Sequence, residues 1–180
     1  MEKLLLAIRP ARPDDAEGVA RVYIDAWHDA YAGMLPAKLL CAMTLEGQSA
    51  RWRAAIRAGG AERILVAEHQ KFGVVGLASF GPSRDGGVGF DGEVYTLYVD
   101  PNFYDCGVGR SLLRAAFADL CERGFTSCVI WAHAKNPARY FYEAMGGRLI
   151  AARTVRMVGD AMPEAAFGWR RLALAEGASP

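Results

Sequence analysis

This 180-residue chain lacks the features that mark several large classes of protein. Its formal net charge is only +1, and its 21 Lys and Arg form no cluster. A nucleic acid or other polyanion is therefore excluded as the main partner. No apolar run approaches the roughly 20 residues that a membrane-crossing helix needs. The N-terminal MEKLLLAIRP is a short apolar stretch that Arg9-Pro10 ends without a cleavage motif, so it is not expected to act as a secretory leader. The four cysteines, Cys41, Cys106, Cys121 and Cys128, show no C-x-x-C spacing and have no histidine neighbours, so no metal site is expected. They read as reduced thiols, which points to the cytoplasm. There is no internal repeat and no linker, and residues 1–180 read as one domain. Two phosphate-binding strings are also missing. No G-x-x-x-x-G-K-[ST] exists, and the third glycine of a dinucleotide fingerprint falls on Leu112. The acidic residue that such a fingerprint wants about 20 residues on falls at Ala132-His133.

What is present is an ordinary globular composition, 52% hydrophobic and 23% charged. Leu4 to Arg9 reads as a first strand. Pro13 opens a helix with Asp14 and Asp15 behind it, and Ala16, Val19, Val22, Tyr23, Ala26, Trp27 and Ala30 recur at helical spacing. Gly33 and Pro36 interrupt; a second helix covers about Leu45 to Ala58 and stops at Gly59-Gly60. Ile64 to Glu68 and Val74 to Phe80 are strands, and Pro82 to Asp91 is a loop by composition. After the central segment a hairpin is expected, Arg148 to Met157 and Ala165 to Leu174 around Gly159-Asp160, with a frayed end from Glu176. Strands in succession before and between helices predict a mixed sheet with helices on both faces. The strand Ala165 to Leu174 is expected to offer an edge on which a second copy can pair as a homodimer.

The most informative stretch is EVYTLYVDPNFYDCGVGRSLLR, residues 93–114. A β-rich run from Val94 to Val99 breaks at Asp100-Pro101, and the loop closes on Gly107-Val108-Gly109 at the start of an amphipathic helix. Glycines let the backbone approach a ligand closely, and the first-turn N–H groups of a helix have no internal partner. Those donors and the helix dipole favour an anion, so a phosphorylated ligand is expected there. A further strand, Thr126 to Ala132, leads to a short helix opening at Asn136-Pro137 and carrying Phe141-Tyr142-Glu143 up to Gly146-Gly147.

The ordered set Glu93, Leu97-Tyr98-Val99-Asp100-Pro101, Gly107-Val108-Gly109-Arg110 and Asn136 with Phe141-Tyr142-Glu143 resembles the GNAT superfamily of acyl-CoA-dependent N-acetyltransferases. The match runs from Ile8-Arg9-Pro10-Ala11 to Trp169. The resemblance implies an α/β fold with a mostly antiparallel sheet whose strands splay at a cofactor cleft, and direct acetyl transfer from acetyl-CoA to a primary amine of a small molecule or protein. It implies cofactor contacts from Leu97, Tyr98, Val99, Tyr104, Asp105, Cys106, Gly107, Val108, Gly109, Arg110, Ser111, Asn136 and Arg139. The loop departs from the family pattern: Tyr104 and Cys106, with Asp105 between them, stand where basic or amide side chains are usual. That departure motivates a rival reading as a catalytically silent acyl-CoA sensor, and a nucleotide-binding module is the other rival.

Amide formation from a thioester needs a base for the amine, a donor for the carbonyl oxygen and a proton for the leaving thiolate. Strand alternation places Glu93 on one face with Tyr95, Leu97 and Val99 unless a bulge intervenes. The resemblance makes Glu93 the base, acting through water, with His133 as the alternative; the backbone near Val99 is the oxyanion donor and Tyr142 the acid. Trp27, His28 and Tyr31 are expected to line the acceptor cleft. The same positions read at helical spacing as plain core, with His28 satisfying local structure.

Overall fold

The computed structural model describes residues 6–35, 37–84, 88–157 and 160–172. Among these, seven strands form one sheet: β1 (Leu6–Pro10), β2 (Arg63–His69), β3 (Gly73–Pro82), β4 (Gly92–Val99), β5 (Cys128–His133), β6 (Arg148–Met157) and β7 (Asp160–Trp169), in the order β1-β2-β3-β4-β5-β7-β6. Neighbours are antiparallel except β4 and β5. That parallel contact follows from the helical crossover between them, since a parallel pair cannot be closed by a tight turn. The helices are α1 (Ala16–Tyr31), α2 (Ala37–Cys41), α3 (Leu45–Ala58), α4 (Val108–Glu122) and α5 (Ala138–Ala144). None is long and apolar enough to cross a membrane.

The two faces of the sheet carry separate cores. On one, the stripe Val19, Val22 and Tyr23 of α1 packs with Trp52 of α3 against Val66, Val74 and Leu77. On the other, Val108, Leu112, Leu113, Ala116 and Leu120 of α4 pack against Val75, Ala78, Phe80, Val94 and Ile130. Leu112, Leu113 and Leu120 are fully buried, each removal from water contributing about 1.5–3 kcal/mol. Gly76 lets α4 sit this close, because a Cβ there would lie 2.9 Å from Leu112 and 3.0 Å from Val108. α4 is thereby fixed with its N-terminus at the C-terminal end of β4.

Several predicted boundaries shift. Pro13 to Asp15 forms a short 3₁₀ turn ahead of α1, and the Asp15 carboxylate accepts from the Arg12 amide at 2.7 Å and from the Arg9 guanidinium. The fifth strand begins at Cys128 rather than Thr126. Thr126 and Ser127 are instead held by Asp91, whose carboxylate accepts both of their amides and both of their hydroxyls. The last hairpin keeps its first strand as predicted, but the second runs from Asp160 to Trp169 and not from Ala165 to Leu174. It lies between β5 and β6, so the predicted free edge is wrong. A strand that leaves a hairpin has a second side, and β5 occupies it. The edges are β1 and β6, and a homodimer formed by strand pairing would have to use one of them. Gly159, half of the predicted turn, and Leu4 and Glu176 lie outside the described residues.

Candidate active site

The site begins with one extra residue. Across β3 and β4, Ser79 pairs with Thr96 but Phe80 pairs with Val94, leaving Tyr95 as a bulge. A bulge sharpens local twist and reverses side-chain parity beyond it. On the other side of β4, pairing with β5 covers only Gly92, Glu93 and Val94 and stops where the bulge sits. From Tyr95 to Val99, β4 therefore runs beside β5 with no ladder between them, and a gap opens.

Backbone donors face this gap. Asp100 donates its amide to Val75 at 2.9 Å, so alternation along the ladder turns the Val99 and Leu97 amides away from β3 and toward β5. At the mouth of the gap, Asp105 and Gly107 both hold left-handed backbone, with φ of 58° and 80°. The first i→i−4 bond of α4 is Ser111 to Gly107, at 3.0 Å. The amides of Val108, Gly109 and Arg110 have no partner among the described residues. A Cβ on Gly109 would sit 3.5 Å from Phe141 and 3.7 Å from Val99, so the bare position keeps the groove between β4 and α5 clear. Diverging strands with outward amides and a glycine-lined helix start suit an extended ligand that carries amides along its length and phosphate at one end.

The cofactor-side residues divide. Arg110 is exposed and makes no ion pair among the described residues. Ser111 turns its hydroxyl back onto the Gly107 carbonyl at 3.1 Å. Arg139 stacks on Tyr140 at 4.6 Å and donates to its hydroxyl, on the exposed side of α5. Tyr104 leans toward Asp29 of α1; burial, then that carboxylate, push its phenol up to about 12. Cys106 and Asp105 are exposed. Asn136 is buried and caps α5, accepting the Ala138 amide at 2.9 Å.

Phenols meet across the gap. Tyr142 comes from α5, packed by Phe141, Phe167 and Trp169, while Tyr31 and Tyr23 come from α1 on the opposite face and Tyr98 from β4. Burial drives the Tyr98 phenol well above its ordinary value, helped by the nearby Tyr31, Tyr23 and Tyr142 hydroxyls. Tyr31 is raised mainly by burial, offset by hydrogen bonding to Tyr98 and Asn136. Tyr142 is raised by burial and then by Tyr31, and no hydrogen bond among the described residues takes its hydroxyl. Side chains from opposite faces sense one another only because the sheet is open here.

Glu93 is buried at 1% exposure, but not among Leu97 and Val99 as straight alternation predicts. The bulge puts those two residues with the α4 core and leaves Glu93 on the α1 side. Its carboxylate is held by Arg84, whose amide donates to Oε2 at 2.9 Å and whose guanidinium donates to Oε1. His133 ends β5 on the same face, edge-on to Tyr31. Burial, then Lys135, lower its pKa and keep it neutral. Its Nδ1 accepts the Lys135 amide at 3.1 Å, so the ring proton sits on Nε2.

Trp27 and Tyr31 do stand together, with centroids 4.9 Å apart, beside Tyr98 and Met162. His28 does not join them; its Nε2 meets the Leu40 carbonyl at 3.1 Å and ties α1 to α2. Sequence reasoning missed Trp131, Arg153 and Glu164, which the register of β5, β7 and β6 brings to the same face. Arg153 donates to Glu164 at 2.8 Å and lies 3.9 Å above the Trp131 ring. Alternation in β7 was the available signal, hidden by the misplaced strand.

This splayed-sheet architecture defines the GNAT class of acetyltransferases, and the comparisons agree. An acetyltransferase (GNAT) domain model matches residues 60–146. An uncharacterized N-acetyltransferase of Bacillus subtilis, YuaI, is 30% identical over 165 residues, covering 92% of this chain and 93% of its own. The chain belongs to the GNAT N-acetyltransferase family. Its fold is similar to that of a GCN5-related N-acetyltransferase from Rhodopseudomonas palustris (TM-score 0.73, 22% identity, 93% and 97% of the two chains). It is also similar to PaiA N-acetyltransferase of Thermoplasma acidophilum in complex with coenzyme A (TM-score 0.67, 17% identity, 89% and 97%). YncA of Salmonella typhimurium, solved with acetyl-CoA, gives a TM-score of 0.65 at 23% identity, covering 97% of each chain.

Proposed function

We propose that this chain transfers an acetyl group from acetyl-CoA to a primary amine of a small molecule or peptide, directly, within a ternary complex in the cytoplasm. The observation that carries this is the gap itself. Phenols from both faces of the sheet converge where β4 and β5 part, next to unpartnered amides at the start of α4. The free amides of Val108, Gly109 and Arg110 suit the diphosphate, and the outward amides of Leu97 and Val99 suit the extended arm. Acetyl-CoA, when bound, supplies the acyl thioester.

The chain's own groups then divide the work. The Val99 amide donates to the carbonyl oxygen as negative charge gathers there. Tyr142, protonated through the physiological range because burial raises its phenol, donates to the departing thiolate. Glu93 takes, through water, the proton that the nitrogen loses after attack. His133 is the weaker candidate for that step, since the nitrogen that would accept a proton already accepts the Lys135 amide. Trp27 and Tyr31 wall the acceptor side.

The test is thiol release from acetyl-CoA over a panel of amines, with calorimetry against CoA, ATP and NAD. CoA binding with amine-dependent thiol release is the expected result. Tight NAD binding, or CoA binding with no turnover on any amine, refutes it.

A further inference from the structure

An amine that reacts must carry a lone pair, yet most biological amines arrive protonated. The α1-facing side of the gap bears on which of them can enter. Among the described residues, the carboxylates withdrawn from water on this side are matched to arginines, Glu93 to Arg84 and Glu164 to Arg153 at 2.8 Å, while Asp29 of α1, beside Tyr104, is exposed to solvent. Aromatic faces, the other attraction for a cation, are taken in the same way. Arg153 covers Trp131 at 3.9 Å, Arg84 covers Tyr95 at 4.3 Å, and Arg51 stands 5.9 Å from both Tyr23 and Trp52. Trp27, Tyr31 and Tyr98 pack against one another instead. The remaining polar groups are donors or neutral. Trp27 has a buried indole N–H with no partner among the described residues, and His133 keeps its proton on Nε2 with the cationic Lys135 two residues away. Tyr142 and Asn136, from the α5 side, are neutral as well.

An ammonium ion in such a cleft loses its water and finds no uncompensated buried negative charge among the described residues, which disfavours the charged form. We infer that the acceptor enters as the neutral amine, and that this chain selects weakly basic amines, those next to a carbonyl or an aromatic ring, over alkylamines. This rests on the transfer reaction proposed above. The nitrogen lone pair forms the C–N bond, the C–S bond breaks, and the thiolate takes a proton from Tyr142. The nitrogen gives up one proton through water, and Tyr142 is reprotonated from solvent, so an N–H is exchanged for an S–H. At pH 7.5 a lysine-like amine is neutral in only about 1 molecule in 800, whereas an α-amino group is neutral in about a third, from their ordinary pKa values.

The experiment measures kcat/KM by thiol release from pH 6 to 9.5 for an arylamine, an α-amino amide and a ring-bearing alkylamine of similar size. The alkylamine is expected to gain about tenfold per pH unit with no plateau in range, and the α-amino amide to level near pH 8. At pH 7.5 the weaker bases are expected to lead by about a hundredfold. A plateau for the alkylamine below pH 8.5, or its preference at neutral pH, overturns this inference and leaves the transfer reaction standing. No turnover with any amine at any pH, with CoA bound, overturns the transfer reaction itself and the inference with it. The Arg153→Gln variant, which exposes the Glu164 charge, is expected to raise the alkylamine to α-amino amide ratio about tenfold; an unchanged ratio counts against the inference.

Discussion

Replacing Tyr142 by Phe removes one oxygen from a side chain that is 5% exposed and keeps its ring packed on Phe141, Phe167 and Trp169. No hydrogen bond among the described residues is lost, so the cost in stability is about 0.5 kcal/mol or less, below the roughly 1 kcal/mol of an ordinary buried bond. CoA affinity should stay within about twofold. The chemical step is different. A positioned acid contributes about 10²–10⁴ in rate, which is about 2.7–5.4 kcal/mol at 1.36 kcal/mol per decade. Steady-state thiol release should therefore show kcat falling by that factor with little change in the acetyl-CoA KM. The pH dependence carries a second check. Burial raises the phenol above its ordinary value of about 10, the acid form is present below that pKa, and so the wild-type rate should show no alkaline fall from this group below pH 10. A thioester whose thiol is more acidic needs less help in leaving and should recover most of the lost rate in the variant. If kcat for acetyl-CoA is unchanged, or if the acidic-thiol thioester is slowed as much as acetyl-CoA, Tyr142 is not the acid.

Further substitutions test the remaining parts. Gly109→Val places a side chain in the groove between Val99 and Phe141, and calorimetry should show CoA binding weakened by at least about tenfold, with Tm nearly unchanged. Gly107→Ala meets no atom within 4 Å but must hold φ at 80°, which costs about 1 kcal/mol and lowers Tm by about 2–4 °C. Glu93→Gln keeps the shape of the Arg84 contact but removes the proton acceptor, so kcat should fall about a hundredfold while CoA affinity holds. Asp100 is buried against Arg21 and Asn102, whose hydrogen bonds outweigh its burial and leave its pKa lowered. Its stabilisation is thus complete above the ordinary carboxylate pKa near 4 and is lost as pH falls through the lower folded value. Asp100→Asn should lower Tm by a constant amount from neutral pH upward and flatten the acid limb of the Tm-against-pH curve, leaving the shape of its alkaline end unchanged.

Local rules carried a good part of the fold. The α4 start at Gly107-Val108-Gly109, the stop at Gly59-Gly60 and the strands flanking Gln70 are decided by neighbours in sequence, through φ, capping and alternation. The position of β7 is decided at long range. Nothing within Asp160 to Trp169 tells it to sit between β5 and β6, and the polar residues Asp160 and Glu164 made its first half look like turn. Glu164 was lost with it, and so was the pairing to Arg153. Arg84 was unreadable for a different reason: it lies in the loop that joins β3 to β4, and composition marks that loop without saying which of its side chains turns back onto Glu93. The candidate cofactor loop was legible because a single contiguous segment builds it. The candidate acceptor wall was legible only in Trp27 and Tyr31 of α1, because β4, β5, β6 and β7 each contribute separately.

The bulge at Tyr95 links these observations. Were β4 regular along its whole length with Tyr95 in the ladder, Glu93, Tyr95, Leu97 and Val99 would share one face, and β4 could continue its ladder along β5 past Ile130. With the bulge, Leu97 and Val99 pack against α4 as core while Glu93 and Tyr98 face α1, and the ladder stops at Val94. Set against that regular strand, the bulge stops the ladder, turns the amides of Leu97 and Val99 toward the gap, and leaves the carboxylate on the α1 side. Deleting Tyr95 leaves Glu93, Leu97 and Val99 on their present faces but removes the irregularity in the ladder, and should close the gap. The expected outcome is a folded chain, made more regular, that has lost CoA binding; a deletion variant that still binds CoA as the parent does would mean that the gap is held open by the loop after Val99 and not by the bulge.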